Sequence, residues 1–130
     1  MSVSAGGSKY EISDEQLRAL YAWIDAIPLS RPKRNVWRDF SDGVLVAEVI
    51  AAYFPLLVEI HNYPTANSIK QKVYNFETLN QRVLKKFGMT VPRDQIEDIV
   101  NCKNGAVESM LNQLQMKMAK YREKMAREPR

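Results

Sequence analysis

The residues best suited to chemistry in this chain are four cations that lie close together on a loop between Pro28 and Arg38. These cations are Arg31, Lys33, Arg34 and Arg38. No acid interrupts them, and we expect their side chains to face solvent. Pro28 and Pro32 restrict the backbone around them, which lowers the entropy that the loop would lose on binding. The segment therefore predicts a semi-rigid surface for a large polyanion rather than a reactive centre.

Trp37 stands beside the last of these cations, and two roles are open to it. An exposed indole would add apolar contact to a charged interface, whereas a buried indole would fill the core. Phe40 is the more certain core residue of the two. The sequence does not decide between the two roles of Trp37, and we include it in the predicted binding surface.

A second cation-rich segment covers residues 70–93, which contain six cations and Glu77 as the only acid. Most of these cations, Lys85 and Lys86 among them, are interpreted as a solvated helix face. We add Lys70 and Lys72 to the predicted binding surface. Successive residues of a helix are turned by about 100°, so these two cannot lie on one line. Acids collect elsewhere in the chain, a distribution that favours one basic face for an anionic partner.

Asp39 and Asp42 could be interpreted as a carboxylate pair for acid–base catalysis. Near the start of a helix, however, a hydrogen bond from a backbone N–H group is the much more common use of an aspartate. His61 is the sole histidine and Cys102 the sole cysteine, so the sequence suggests no ligand set for a metal. Nucleotide-binding and hydrolase motifs are also absent from the sequence. The sequence therefore predicts no enzymatic activity, no cofactor and no bound metal.

Length and composition indicate a single globular domain of 130 residues with a net charge of +4. A lone cysteine fits a reducing compartment. No apolar run approaches the roughly 18 residues that a membrane span needs, and the first residues lack the pattern of a signal peptide. We therefore expect a soluble cytoplasmic protein that contacts no membrane.

Helical periodicity and capping signals organise the rest of the chain into an all-α bundle. A capping box at Ser13 and Gln16 predicts the start of the first helix, which Pro28 ends. Ser68 predicts the start of a long helix that runs to Phe87. A short helix follows at 92–100, and Gly105 begins the last helix, which extends toward the end of the chain.

The segment 44–54 is apolar on nearly every side, with Glu48 as its one charged residue, so it should form the central helix. Asp42 or Ser41 is expected to cap this helix, with Gly43 in its first turn.

In this order of elements the sequence resembles a calponin-homology domain. The residues that carry the resemblance are Trp23 and Ile24, the run DFSDGVL at 39–45 and the helix around 76–84. Four further runs are similar to the sperm flagellar protein 1 family, also called CLAMP: IPLSRPKRN at 27–35, DFSDGVLVAEVI at 39–50, IHNY at 60–63 and LNQRVL at 79–84. The likeness extends from about residue 13 to about residue 114.

The resemblance implies a non-enzymatic domain that binds, and bundles or stabilises, microtubules in the axonemes of cilia and flagella, around the central pair. It implies tubulin as the partner, and the charge pattern makes the basic loop the docking element. In this family a coiled coil follows the domain, so we expect a longer parent chain that self-associates there. The alternative is an actin-filament-binding calponin-homology domain; nucleic acid is not expected, because no stacking platform is present.

Three segments are expected along the chain. Residues 1–11 would be a disordered extension, 12–118 the calponin-homology domain and 119–130 a basic helical tail.

Overall fold

The computed structural model describes residues 9–31 and 35–128, which form six α-helices and three 3₁₀ turns without a strand. The helices are α1 (Asp14–Asp25), α2 (Val36–Asp39), α3 (Val44–Tyr53), α4 (Ile69–Arg82), α5 (Arg93–Val100) and α6 (Ala106–Arg127). The 3₁₀ turns are Pro55–Leu57, Ile60–Asn62 and Leu84–Phe87. The predicted all-α class is confirmed. None of the helices in the described segments is both long and apolar enough to cross a membrane.

Helix α3 is the centre of the bundle, as its composition predicts. Leu45 and Val49 have no accessible surface, and the helix contributes buried residues on all of its sides. Its one charged residue, Glu48, is half-buried and is used to hold another segment, as described below. An apolar helix enclosed in this way fixes the positions of the shorter elements around it.

The two helix starts read from capping residues are confirmed. Ser13 and Gln16 form a complete capping box, in which the Gln16 N–H donates to Ser13 Oγ at 3.1 Å and the Ser13 N–H donates to Gln16 Oε1 at 2.9 Å. Ser68 caps α4 by accepting from the Gln71 N–H at 3.1 Å. These contacts span only three residues, so the local sequence is enough to specify them.

Gly43 takes a different position from the predicted one. It is the N-cap residue of α3 rather than part of the first turn, and its φ of +84° lies in the left-handed region. A Cβ atom there would lie 3.3 Å from Asn75 Cβ, so α4 approaches this backbone closely. The carboxylate of Asp42 still serves the helix start, since Asp42 Oδ1 accepts from the Val44 N–H at 3.1 Å.

Helix α4 is shorter than predicted. It ends at Arg82, and the chain tightens into the 3₁₀ turn Leu84–Phe87 before Gly88 takes a left-handed conformation. A 3₁₀ turn has about three residues per turn, so Leu84 and Phe87 point to the same side, and both are buried. Packing of these two side chains into the core is favoured over continuation of the α-helix.

Packing contacts occur close to both predicted domain boundaries, residues 12 and 118, which stay predictions. Tyr10 is buried, and its hydroxyl donates to Asp98 Oδ2 at 2.5 Å. Helix α6 continues through residue 118. The centroid of the Tyr121 ring lies 5.3 Å from that of Phe54 and 5.0 Å from that of Phe87. Residues 1–8, for which disorder is predicted, lie outside the described part of the chain.

Candidate functional site

The turn between α2 and α3 is built around one buried carboxylate. Asp42 is 3% exposed, and besides the Val44 N–H it accepts from the Ala66 N–H at 3.3 Å and from Arg31 Nη2 at 3.3 Å. It therefore joins the basic loop, the start of α3 and the connection that precedes α4. A buried carboxylate needs such partners because desolvation of the charge would otherwise destabilise the fold.

Arg31, the first cation of the predicted binding surface, is a structural residue here. In addition to Asp42, its guanidinium donates to the Asp39 carbonyl at 3.1 Å and to Thr65 Oγ1 at 3.4 Å. Its side chain is only 27% exposed. The expectation that it faces solvent is therefore wrong, because the buried Asp42 draws the guanidinium inward.

We call residues 31–34 the basic loop, and acids hold the residues on both sides of it. Before it, Ser30 donates through its N–H and its hydroxyl to the two carboxylate oxygens of Glu48, at 2.8 and 2.5 Å. After it, the Asn35 N–H donates to Asp39 Oδ2 at 3.0 Å. Between these anchors the sequence places Pro32, Lys33 and Arg34. The binding residues predicted there, Lys33 and Arg34, lie outside the described residues.

Helix α2 presents the remaining residues of this segment. Trp37 is 42% exposed, so it does not fill the core, which is the role taken by Phe40 with no accessible surface. Arg38 is exposed as well. An exposed indole beside an exposed cation can contribute both apolar and electrostatic contacts to a partner.

Lys70 and Lys72 are separated by the fold. Lys72 Nζ donates to Ser41 Oγ at 3.2 Å, and Ser41 Oγ donates to the Arg38 carbonyl at 2.8 Å, so Lys72 lies against the end of α2. Lys70 instead lines a groove between α4 and α5 together with Tyr74. We call Arg38, Lys72, Trp37 and the basic loop the first cationic surface, and Lys70 lies apart from it.

The groups considered for catalysis are engaged in other contacts. Asp39 and Asp42 accept backbone N–H groups, as expected for residues beside helix starts. His61 is exposed, and its Nε2 lies 3.4 Å from Glu59 Oε2. Within residues 9–31 and 35–128 no three His, Cys, Asp or Glu side chains lie close enough to hold a metal ion. The arrangement can bind an anionic partner through charge.

A group of cations at the opposite end of α4, interpreted from the sequence as a solvated helix face, was left out of the predicted binding surface. Arg82, Lys85 and Lys86 are exposed and line one groove, and we call them the second cationic surface. Their spacing of three and four residues is a signal for a shared helix face. That signal was available in the sequence, but the groove beside them depends on the 3₁₀ turns, which the sequence did not predict.

Comparison with known proteins agrees with the fold and with the motifs. The family model described as "CH-like domain in sperm protein" matches residues 20–116. Sperm flagellar protein 1 of Xenopus laevis is 55% identical over 108 residues, which cover 83% of this chain and 47% of that protein. The Bos taurus and Homo sapiens proteins of the same name are each 53% identical over 107 residues, covering 82% of this chain and 45% of each protein. The chain thus spans about half the length of these relatives, and it belongs to the family of CH-like domains found in sperm proteins.

Proposed function

We propose that this domain is a non-enzymatic microtubule-binding module that docks its first cationic surface on acidic tubulin. The relatives are named for the sperm flagellum, which supports a role in the axonemes of flagella and cilia, including the central pair. In that setting the domain would stabilise or bundle microtubules as part of a longer chain.

The observation that carries the proposal is the anchoring of the basic loop. Glu48 and Asp39 hold its two sides, and Asp42 holds Arg31 at its start. Fixed ends reduce the conformational entropy that Lys33 and Arg34 would lose on contact with a partner. The acids thus fix Ser30, Arg31 and Asn35, which flank Lys33 and Arg34 in the sequence, while Trp37 and Arg38 stay exposed.

Electrostatics sets the affinity expected of such a surface. An exposed ion pair contributes only about 0–1 kcal/mol, so several cations must act together. Long-range attraction also steers the domain toward an acidic filament and weakens as salt shortens the screening length to about 8 Å at physiological ionic strength. We therefore expect modest affinity for one domain, with a strong dependence on salt.

The test is co-sedimentation with microtubules and, side by side, with actin filaments over a salt series. Arg34→Glu combined with Arg38→Glu should abolish most microtubule binding, because attraction is replaced by repulsion. Arg31 is left unchanged because its guanidinium stabilises the fold. The matched control is Lys120→Glu with Lys124→Glu, an equal charge change on the exposed side of α6.

Circular dichroism would show that both double variants keep their helices. Equal microtubule binding by the loop variant and the wild type would reject the first cationic surface as the site. Binding that salt does not weaken would reject the electrostatic mechanism, and preferential pelleting with actin would favour the actin-binding alternative.

A further inference from the structure

We propose that the groove beside the second cationic surface is a separate binding site for an acidic, extended peptide. The groove has a volume of about 340 Å³ and lies where the C-terminal end of α4 meets the connection between α3 and α4. Its walls carry Arg82, Lys85 and Lys86 on one side and Leu56 and Tyr63 on the other.

The cations of this groove differ from Arg31 of the first surface, which is paired with the buried Asp42. In the described part of the chain, no carboxylate lies within ion-pair distance of Arg82, Lys85 or Lys86. The one acid in the groove wall, Glu59, lies beside His61. Three exposed cations against one acid leave a net positive groove, which an anionic ligand would neutralise.

Tyr63 supplies a polar group inside the groove that the fold leaves unused. Only 3% of this residue is exposed, yet its hydroxyl forms no hydrogen bond with any described residue. Burial raises the pKa of Tyr63, so the phenol stays protonated at neutral pH and remains a hydrogen-bond donor. The hydroxyl is not one of the described side-chain atoms that are fully enclosed without a partner, so it can reach a ligand carboxylate or carbonyl as a donor.

The distribution of charge favours a peptide with several carboxylates over a single phosphate. A phosphate site usually gathers several donors at one point, and arginine suits it best. Here one arginine at the end of α4 and two lysines in the 3₁₀ turn that follows are spread along the groove, so they suit several separated carboxylates. Leu56 at the rim is 98% exposed and offers apolar contact to a side chain of the same peptide.

The two cationic surfaces lie at opposite ends of α4. That helix has 14 residues, so its ends are separated by about 20 Å. A domain with two such sites can hold two acidic partners at once without forming a dimer. If the first surface binds a microtubule, the second can take an acidic segment of a neighbouring filament, and a monomer can then bundle. This last step rests on the proposed function, whereas peptide binding does not.

The experiment is a titration at low salt with a short fluorescein-labelled peptide, composed mostly of glutamate with one phenylalanine, followed by anisotropy. Lys85→Glu with Lys86→Glu should weaken binding by about tenfold or more, because two ion pairs become repulsive. Tyr63→Phe should weaken it by about fivefold through loss of one hydrogen bond. Lys120→Glu with Lys124→Glu has the same charge change as the lysine variant and should bind like the wild type.

Unchanged affinity in the Lys85 and Lys86 variant would overturn the proposed site. Unchanged affinity in Tyr63→Phe would show diffuse attraction rather than a groove and would equally overturn it. Tighter binding of an oligonucleotide or of anionic vesicles than of the peptide would also overturn the proposed site. Low-speed sedimentation then tests bundling: the lysine variant should bind microtubules but not bundle them. A wild type that binds the peptide but not microtubules would reject only the proposed function.

Discussion

The two cationic surfaces at the ends of α4 carry similar charge, but the fold uses them differently. At the first surface Arg31 is bonded to the buried Asp42, and Lys72 is bonded to Ser41. At the second surface Arg82, Lys85 and Lys86 have no ion-pair partner among the described residues. Charge read from sequence therefore identifies where cations are, but contacts made on folding decide which of them remain available to a partner.

The largest expected effect is the loss of the carboxylate that organises the first surface. Asp42→Ala removes the acceptor of two backbone N–H groups and the partner of Arg31, so we expect a loss of about 3–5 kcal/mol in the free energy of unfolding. Urea denaturation measures this loss. Glu59→Ala, which removes the exposed acid of the second surface, is the matched control and should change stability by less than about 0.5 kcal/mol.

Should Asp42→Ala fail to fold, Asp42→Asn keeps one acceptor and should retain a measurable transition. An Asp42→Asn protein as stable as the wild type would remove the basis for the distinction between the two surfaces.

The next largest effect is expected when a cation is replaced by glutamate, and the loss in the free energy of unfolding is compared between the two surfaces. Arg31→Glu places a second acid beside Asp42 and should lower the free energy of unfolding by about 2 kcal/mol or more. Lys85→Glu, at an unpaired exposed position, should change it by less than about 0.5 kcal/mol. Thermal melts followed by circular dichroism give both values. Similar losses in the two variants would contradict the assignment of Arg31 to the fold.

Truncation of one apolar side chain at each surface tests whether the two surfaces bind their ligands independently. Trp37→Ala should lower microtubule affinity by about fivefold, as expected for an exposed aromatic anchor, and leave acidic-peptide affinity unchanged. Leu56→Ala should lower peptide affinity and leave microtubule affinity unchanged. Co-sedimentation and anisotropy are measured on both variants. If each variant lowered the affinity for both ligands, the surfaces would form one continuous site.

The smallest expected effect concerns Asp98, another acid that contacts a cation. Hydrogen bonds from Lys9 and then from Tyr10 lower the pKa of its carboxyl below the ordinary value of 3.8. A depressed pKa means that the stability from this carboxylate is present above about pH 4 and is lost as pH falls further. Asp98→Asn should therefore be less stable than the wild type at pH 7, and the difference should shrink below pH 4.

Denaturation of the wild type and of Asp98→Asn across that pH range gives the comparison. The exposed Asp94 provides the control, and Asp94→Asn should shift stability by less than about 0.5 kcal/mol at neutral pH. A gap between the wild type and Asp98→Asn that is independent of pH would argue against the carboxylate as the source.

The sequence by itself determined the features that depend on near neighbours or on the composition of one segment. The capping box at Ser13, the cap at Ser68 and the start of α6 at Gly105 lie where they are predicted. The central position of α3 follows from its apolar sides alone. Contacts within one helical turn, and the burial of an apolar helix, need no knowledge of distant residues.

The tertiary structure alone decided how the cations are used, because that depends on residues far apart in the chain. Arg31 meets Thr65, which lies 34 residues later, and Lys72 meets Ser41, 31 residues earlier. The same holds for Tyr10, whose hydroxyl donates to Asp98 across 88 residues. A cation becomes structural when folding brings a desolvated acid within hydrogen-bonding reach, and the linear order of charges does not contain that distance.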